Sequence, residues 1–479
     1  MITQENIVNN KKEKVALPIR VLQFGEGNFL RAFADWVIDT LNEKADFNTG
    51  VAVAQPIQHG MTDVLAAQAG QYHHLIRGIQ KGKQVNDIRL VNCIQQSINP
   101  FETPEALFDL AKSEELEFVI SNTTEAGIQF KEEAKPEGLV LAETFPGKLT
   151  QLLKIRFDYF NGDESKGLIL IPCELIEQNG DTLKACIISY AKQWNLGEDF
   201  VKWIENSNHF CNTLVDRIVP GYPKDELAQL KDKLTFDDKL VVASEVFHLW
   251  VIEASQYARE RFPADKFGLN VVYTDDITPY RTRKVRILNG AHTSMVPVGL
   301  LSGIETVRES MEDKVVGDYI RKAMLEEIAP TIDLPKQEIE DFAHEVMERF
   351  LNPFIRHELK SISLNSVSKY KVRVLPTVKD YYQSNGKLPQ RLVLALACLI
   401  KLYLSDDFQI NDNEEVKVFF GELKKQAGSV QQITEKVLSN TEFWEENLLD
   451  LGNMSELVSN FLTQIAEKGI TETLQSIQS

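Results

Sequence analysis

The chain has 479 residues, of which 43% are apolar and 25% charged, a composition typical of a globular protein with two or three domains. Its formal charge of −18 argues against nucleic acid as a partner, because phosphate binding needs a basic surface. No apolar run follows the lysine cluster near the N-terminus, and the longest apolar stretch, residues 392–400, is too short to cross a bilayer and predicts a buried helix. These features predict a soluble, cytoplasmic protein without a membrane partner.

Cysteine and histidine usage bears on redox setting and metal binding. The five cysteines are odd in number and scattered without metal-ligand spacing, which favours a reduced, cytoplasmic setting. The eight histidines form no HExxH pattern. We therefore predict that the protein has no metal site.

The first half of the chain alternates short apolar runs with helical patterns, which predicts a parallel sheet with ligands at the carboxyl ends of its strands. The first strand, residues 19–24, runs into a glycine turn and then a helical stretch over residues 32–41. Such a turn presents free backbone N–H groups and the positive end of a helix dipole to a pyrophosphate. Because Leu30 stands where the usual fingerprint has a third glycine, a tight turn without a ligand is an equally good interpretation of this segment alone.

Three further strands are predicted at residues 50–55, 118–121 and 167–172. No acidic residue follows the strand at 50–55, where a partner for the ribose 2′-hydroxyl is expected, and Gln55 neither repels nor pairs with a 2′-phosphate. The residues by themselves therefore do not decide between NAD and NADP.

From about residue 275 the pattern changes to long amphipathic stretches with few β-branched runs. Helices are predicted at residues 284–301, 313–328, 337–351, 389–404 and 414–426. The change of pattern predicts an α/β, Rossmann-like domain over residues 1–274 and a mainly helical domain over residues 275–479. The family resemblance described below assigns NAD binding to the first and substrate binding and catalysis to the second.

Three polar residues, Lys284, Asn289 and His292, lie at spacings of five and three inside an apolar helical pattern. At ~100° per residue they fall within an arc of ~140°. Burial on that face would lower the pKa of the lysine, and the amide and imidazole could then hold an oxygen that gains or loses its proton. A helix with one lysine that reaches solvent beside two satisfied polar neighbours is an equally good interpretation of the spacing.

Four separated motifs occur in one order along the chain: Gly25-Glu26-Gly27-Asn28-Phe29-Leu30-Arg31-Ala32-Phe33, Thr123-Thr124-Glu125-Ala126-Gly127, Val215-Asp216-Arg217-Ile218-Val219-Pro220 and the Lys-x4-Asn-x2-His of residues 284–292. In this order the chain resembles the polyol-specific long-chain dehydrogenases, the mannitol dehydrogenase family, over nearly its whole length. The resemblance implies an α/β Rossmann-type dinucleotide-binding domain followed by a mainly α-helical C-terminal domain, with the active site in the cleft between them.

The resemblance also implies roles for individual residues. It assigns proton transfer to Lys284 and orientation of the substrate carbonyl to Asn289 and His292. Asp216 and Lys369 match substrate-side residues of the family, although a helix-capping or ion-pair role for Asp216 and an exposed basic loop around Lys369 are the competing interpretations. The predicted NAD contacts are Phe24, Gly25, Gly27, Asn28, Phe29, Arg31, Thr124 and Glu125.

Within the family, residues 171–180 and 286–292 are most similar to the enzymes of tagaturonate and altronate. This similarity implies NAD-dependent interconversion of D-tagaturonate and D-altronate in hexuronate catabolism, with a lysine acid–base and no metal. Leu175 and Ser361 replace an asparagine and an arginine of the family, so a typical polyol pocket is not expected. The alternatives are a fructuronate reductase or mannitol 2-dehydrogenase of the same family and, more remotely, a dinucleotide-binding sensor without turnover.

Overall fold

The computed structural model describes residues 7–8, 14–124, 126–426 and 428–477. Its contacts divide the chain into two compact units. The first unit runs to residue 277 without residues 79–83, and the second contains residues 79–83 and the chain from residue 278 onward.

All strands of the described residues belong to the first unit or reach from it. They are β1 (Ile7–Val8), β2 (Ile19–Phe24), β3 (Gly50–Ala54), β4 (Tyr72–Gln80), β5 (Lys83–Val91), β6 (Ile94–Ile98), β7 (Phe118–Ser121), β8 (Ile169–Pro172), β9 (His209–Phe210), β10 (Asn212–Asp216), β11 (Val242–Glu245), β12 (Leu249–Glu253) and β13 (Val271–Thr274). The strands predicted at residues 19–24 and 118–121 agree with the bounds of β2 and β7, and those predicted at 50–55 and 167–172 agree with β3 and β8 within two residues.

The main sheet has the strand order β6-β3-β2-β7-β8-β9, and every neighbouring pair in it is parallel. Counted by their position along the chain, these strands have the order 3-2-1-4-5-6 of a doubly wound dinucleotide-binding fold. The order reverses between β2 and β7, so the crevice that binds ligands in such sheets opens at the carboxyl ends of these two strands. The prediction of a Rossmann-type domain is confirmed.

Both faces of the main sheet are covered, because successive residues of its strands pack into two different cores. Val21 and Ile120 contribute to one core, whereas Leu22 and Val119 contribute to the other. Continuous apolar strands of this kind are typical of parallel sheets buried on both sides.

Two smaller sheets accompany the main one. One has the order β1-β5-β4-β11 and the other the order β10-β12-β13. The helices of this unit are α1 (Asn28–Ala32), α2 (Ala34–Ala45), α3 (Thr62–Ala67), α4 (Pro104–Leu110), α5 (Phe145–Tyr159), α6 (Asn179–Gln193), α7 (Glu198–Ser207), α8 (Leu227–Leu230) and α9 (Gln256–Arg261), with 3₁₀ turns at Glu164–Lys166 and Lys224–Glu226. The helical stretch predicted at 32–41 thus begins earlier, directly after Gly27, and is interrupted at Phe33.

The second unit is helical, as the amphipathic pattern predicts. Its α-helices are α10 (Thr278–Arg283), α11 (Gly290–Leu301), α12 (Val307–Glu312), α13 (Lys314–Lys322), α14 (Lys336–Phe350), α15 (Leu359–Ile362), α16 (Ser366–Arg373), α17 (Leu375–Asn385), α18 (Gln390–Leu404), α19 (Glu414–Lys425), α20 (Val430–Leu438), α21 (Thr441–Trp444) and α22 (Met454–Ser476). Two π-helices, Lys284–Asn289 and Ala323–Ile328, and two 3₁₀ turns, Ala329–Thr331 and Leu448–Asp450, complete it. The apolar stretch at residues 392–400 lies in α18 and is buried throughout, as predicted.

All five cysteines are buried with free thiols. Among the residues that the structure describes, no helix is both long enough and apolar enough to span a membrane.

Candidate functional site

The glycine turn of the first unit lies at the switch point of the main sheet. The Gly25 amide donates a hydrogen bond to the Ala54 carbonyl at the end of β3 (3.0 Å), and the Asn122 amide donates to the Phe24 carbonyl (3.1 Å). Gly25 has φ of +117°, and a Cβ added there would lie 3.0 Å from the Asn122 carbonyl oxygen. Only glycine therefore allows this turn to pass so close to the loop after β7.

Gly27 faces open space, since an added Cβ would meet nothing within 4 Å. It is the N-cap of α1, and no side chain caps that helix end. The free N–H groups and the space beside them fit a pyrophosphate, as in other dinucleotide-binding folds. Leu30, which replaces the third glycine of the fingerprint, is buried and packs beside Gly25.

Arg31 is buried and holds the glycine turn in place through hydrogen bonds. Its guanidinium donates hydrogen bonds to the carbonyls of Glu26 (3.0 Å) and Leu240 and to Oδ1 of Asn28 (2.8 Å). It also stacks on the ring of Tyr72 at 5.2 Å. The structure thus gives Arg31 a supporting position, and a direct contact of Arg31 or Asn28 with a cofactor stays a prediction.

The two predicted aromatic contacts of the cofactor differ in burial. Phe24 is fully buried and packs on Phe145, with 5.0 Å between ring centroids, so only its backbone borders the turn. Phe29 is partly buried and stacks on Phe33 at 5.0 Å.

The loop after β7 forms the other wall of the switch point. The buried Glu174 carboxylate accepts hydrogen bonds from the Thr123 amide (2.9 Å), the Thr123 hydroxyl (3.0 Å) and the Ser121 hydroxyl (3.0 Å). Burial raises the pKa of Glu174. Thr124 is exposed and has φ of +81°, a conformation that β-branched residues rarely adopt outside functional sites. The predicted contact at Glu125 lies outside the described residues.

Two further residues of the first unit were singled out by the sequence. Asp216 is buried at the end of the strand β10, and its substrate-side role stays a prediction. Its neighbour Arg217 donates to the carbonyls of Glu245 (3.0 Å) and Ala32 (2.7 Å).

Leu175, which replaces the family's asparagine, has 59% of its surface exposed.

In the second unit, residues Lys284–Asn289 form a π-helix rather than the first turn of an α-helix. The Gly290 amide donates to the Val285 carbonyl five residues earlier. This i to i+5 pattern brings Lys284 and Asn289 onto one face, whereas α-helical geometry separates them by ~140°. Single π-turns inside helices occur frequently at functional sites.

Lys284 and Asn289 are both partly buried, so the enclosure predicted for the lysine is incomplete. The Asn289 carbonyl accepts a hydrogen bond from the Thr293 hydroxyl (2.8 Å). Within the described part of the chain, the side-chain amide of Asn289 has no hydrogen-bond partner. It is therefore available to a substrate oxygen.

His292 is only 8% exposed, and its Nε2 atom has no hydrogen-bond partner among the described residues. Its ring packs on Phe350, with 4.3 Å between centroids, and edge-on against His357 at 5.1 Å. Burial first, and then the charges of His357, Arg349, Arg373 and Lys369, hold the pKa of His292 well below its ordinary value. The imidazole is thus neutral, and its Nε2 atom is available for a hydrogen bond to a ligand.

Lys369 lies on α16 and is one of the cations whose charge lowers the pKa of His292. Its ammonium group donates a hydrogen bond to the Ile362 carbonyl (2.8 Å), so it is not simply a solvated loop cation. Burial lowers the pKa of Lys369, and Arg373 lowers it further.

Sequence reasoning missed Arg349, His357 and the importance of Arg373 beside His292. Arg349 lies on the amphipathic helix α14, where an arginine ordinarily indicates a solvated face. His357 lies in a segment without a motif. Only tertiary contacts bring these groups close to His292, and no spacing along the chain predicts that they meet.

No group of three or more His, Cys, Asp or Glu side chains in the described parts of the chain is arranged to hold a metal ion. The residues gathered around His292 instead have amide, imidazole, ammonium and guanidinium groups, which suit an oxygen-rich anionic ligand.

Comparison with known proteins identifies the family. The profile of the mannitol dehydrogenase Rossmann domain matches residues 19–266, and that of the mannitol dehydrogenase C-terminal domain matches residues 276–467. The chain belongs to the mannitol dehydrogenase family and is a dehydrogenase that acts on a CH–OH group.

Individual relatives are similar over nearly their whole length. The altronate oxidoreductase of Phocaeicola vulgatus is 48% identical over 470 residues, which cover 97% of this chain and 98% of the relative. The altronate oxidoreductase of Escherichia coli O7:K1 is 42% identical over 469 residues, with coverage of 96% and 97%.

Two solved structures share the fold. The ternary complex of Pseudomonas fluorescens mannitol 2-dehydrogenase with NAD and D-mannitol matches with a TM-score of 0.65, 21% identity and coverage of 96% of this chain and 94% of that one. A substrate-free D-sorbitol dehydrogenase matches with a TM-score of 0.77, 21% identity and coverage of 96% and 95%.

Proposed function

We propose that the protein is an NAD-dependent oxidoreductase that interconverts D-tagaturonate and D-altronate. The observation that carries the proposal is the similarity, over nearly the whole chain, to altronate oxidoreductases of 42–48% identity. The chemistry of the second unit agrees with it, because a keto acid brings both a carbonyl and a carboxylate to a neutral imidazole surrounded by cations.

The residues of the first unit fit a dinucleotide. The switch point between β2 and β7, the open space at Gly27 and the uncapped start of α1 provide backbone donors for a pyrophosphate. When bound, NAD supplies the hydride acceptor, and NADH the hydride donor, for the substrate carbon. The loop held by Glu174 borders the same crevice.

Lys284 is the proposed acid–base. In reduction it gives a proton to the oxygen that was the carbonyl oxygen, and in oxidation it takes the proton back. The π-helix places Asn289 on the same face, where its amide N–H can donate to that oxygen. Since no Lewis acid is needed when a lysine handles the proton, the proposal includes no metal.

His292 orients the same oxygen. Because its pKa is held well below the ordinary range, the ring stays neutral at physiological pH, and Nε2 donates a hydrogen bond when the other ring nitrogen is unprotonated. Two neutral donors directed at an oxygen that gains negative charge stabilise the transition state more than the ground state.

The direct test is NADH oxidation by the purified protein with tagaturonate, fructuronate and fructose measured side by side, and with Lys284→Ala as the control for contaminating dehydrogenases. We expect the highest kcat/KM with tagaturonate. A preference for fructuronate or for fructose replaces the proposal with the corresponding family activity. NADH binding without turnover of any of the three indicates a sensor.

A further inference from the structure

Arg373, the last residue of α16, is partly buried and has an uncompensated charge. In the described part of the chain its guanidinium has neither a hydrogen bond nor an ion pair. Arg286 differs, because it pairs with Asp380 at 2.6 Å and bonds to Thr331. Arg283 likewise pairs with Glu338 at 2.6 Å. Partial withdrawal of a guanidinium from water without a partner costs free energy, and a ligand that supplies the partner offsets that cost.

The backbone places Arg373 beside the proposed catalytic residues. A Cβ added at Gly290 would lie 3.1 Å from the carbonyl oxygen of Arg373, so α16 approaches closely the point where the π-helix passes into α11. Gly290 follows Asn289 directly and is two residues before His292. The electrostatic effect of Arg373 on His292 agrees with this placement.

Lys369 is less suited than Arg373 to bind a carboxylate alone. Its ammonium group already donates to the Ile362 carbonyl at 2.8 Å, and Asp412 offsets part of its charge. An arginine offers two parallel N–H groups that match the two oxygens of a carboxylate.

We propose that Arg373 binds the carboxylate of the substrate through a two-point hydrogen-bonded ion pair and thereby selects keto-uronates over neutral ketoses, with Lys369 as an auxiliary cation. This inference rests on the proposed function, since it assumes that the ketone of the same molecule lies at Lys284, Asn289 and His292. It names the residue that recognises the acid, which the family's neutral substrates do not require.

The test compares Arg373→Met, Arg373→Lys and Lys369→Met with a matched control, Lys371→Met. Lys371 is on the same helix, and replacing it by methionine changes the net charge by the same amount. Its ammonium group already pairs with Glu445 at 2.7 Å, so it is not expected to bind substrate. The kcat/KM for tagaturonate is measured with NADH, and the neutral ketose tagatose is measured as a substrate or, where its turnover is slow, as a competitive inhibitor. Thermal midpoint and NADH affinity by fluorescence titration verify that each variant is folded.

We expect Arg373→Met to lower kcat/KM for tagaturonate at least tenfold, mainly through KM, while the constants for tagatose change less than twofold. Arg373→Lys should recover part of the loss, Lys369→Met should lose less than Arg373→Met, and Lys371→Met should match the wild type. An equal loss on both sugars makes Arg373 a structural residue, and an unchanged uronate KM removes it from the site; either result overturns the inference.

Failure of the proposed function looks different. If the wild type prefers fructuronate, the tagaturonate assignment fails, but a selective loss of fructuronate use in Arg373→Met still supports the arginine's role. If the wild type uses only neutral ketoses, both the proposed function and this inference are wrong.

Discussion

Lys284 and His292 differ in how far the protein fold alters their chemistry. The imidazole is buried among cations and stays neutral, because burial and neighbouring charges both lower its pKa. Lys284 remains partly accessible. If a group titrates in the rate profile between about pH 6 and about pH 10, that group is therefore not His292.

We expect Lys284→Ala to lower turnover by roughly 10²-fold or more, because the variant lacks the group that exchanges a proton with the substrate oxygen. NADH affinity, measured by fluorescence titration, should stay close to that of the wild type. Lys379→Ala serves as the control, since Lys379 is an exposed lysine that pairs with Glu446 at 2.9 Å. Wild-type turnover in Lys284→Ala would show that the catalytic assignment is wrong.

At the scale of elements, the two glycines of the turn between β2 and α1 differ in what the fold requires of them. Gly25 is needed by the fold, because its φ is positive and the Asn122 carbonyl lies close. Gly27 has an ordinary φ of −66° and open space around it. The packing of the chain therefore does not require the second glycine, and we propose that it leaves room for the pyrophosphate.

This contrast predicts different results for two substitutions. Gly27→Val should fold normally and raise the KM for NADH, because the added side chain occupies the space expected for pyrophosphate. Gly25→Ala should instead lower the thermal midpoint, by strain at φ of +117°. Fluorescence titration with NADH and thermal unfolding distinguish the two. Unchanged NADH affinity in folded Gly27→Val would place the dinucleotide elsewhere.

The π-helix at Lys284–Asn289 gives the candidate site a different arrangement from the α-helical one that the sequence spacing predicts. Apolar periodicity predicts a helix from 284 to 301, and the chain is helical there. The i to i+5 turn shifts the face of Lys284 toward Asn289. Close packing of Arg373 against Gly290 accompanies the change.

At the scale of the whole molecule, buried ionisable groups make stability depend on pH. Asp35 is fully buried beside Gln23, Tyr72 and Arg31, and burial raises its pKa to about 7. In the unfolded chain an aspartate titrates near pH ~3.9. Between these values the folded protein keeps a proton that the unfolded chain has lost, so the contribution of Asp35 to stability is complete below about pH 4 and declines as the pH rises to about 7.

We therefore expect Asp35→Asn to remove one component of the pH dependence. Relative to the variant, the free energy of unfolding of the wild type should fall between about pH 4 and about pH 7, by at most about 1.4 kcal/mol per pH unit, and the difference should then level off. Urea unfolding of both proteins at several pH values measures it. The buried histidines are common to both proteins and cancel in the difference. Parallel stability curves would show that Asp35 is ionised in the folded state.

The sequence by itself determined the order of strands and helices, the glycine turn and the motif of Lys284, Asn289 and His292, because these depend on local periodicity and on residues close together in the chain. Only the tertiary structure decided the strand order 3-2-1-4-5-6 and which cations surround His292. It also decided that Arg31 and Glu174 form hydrogen bonds that hold the two loops of the switch point. Burial, partner availability and electrostatic surroundings are properties of packed elements, and residues from distant parts of the chain supply them. For this reason Arg373, which looks in sequence like one more surface cation, becomes a candidate ligand of the substrate only when α16 packs against α11.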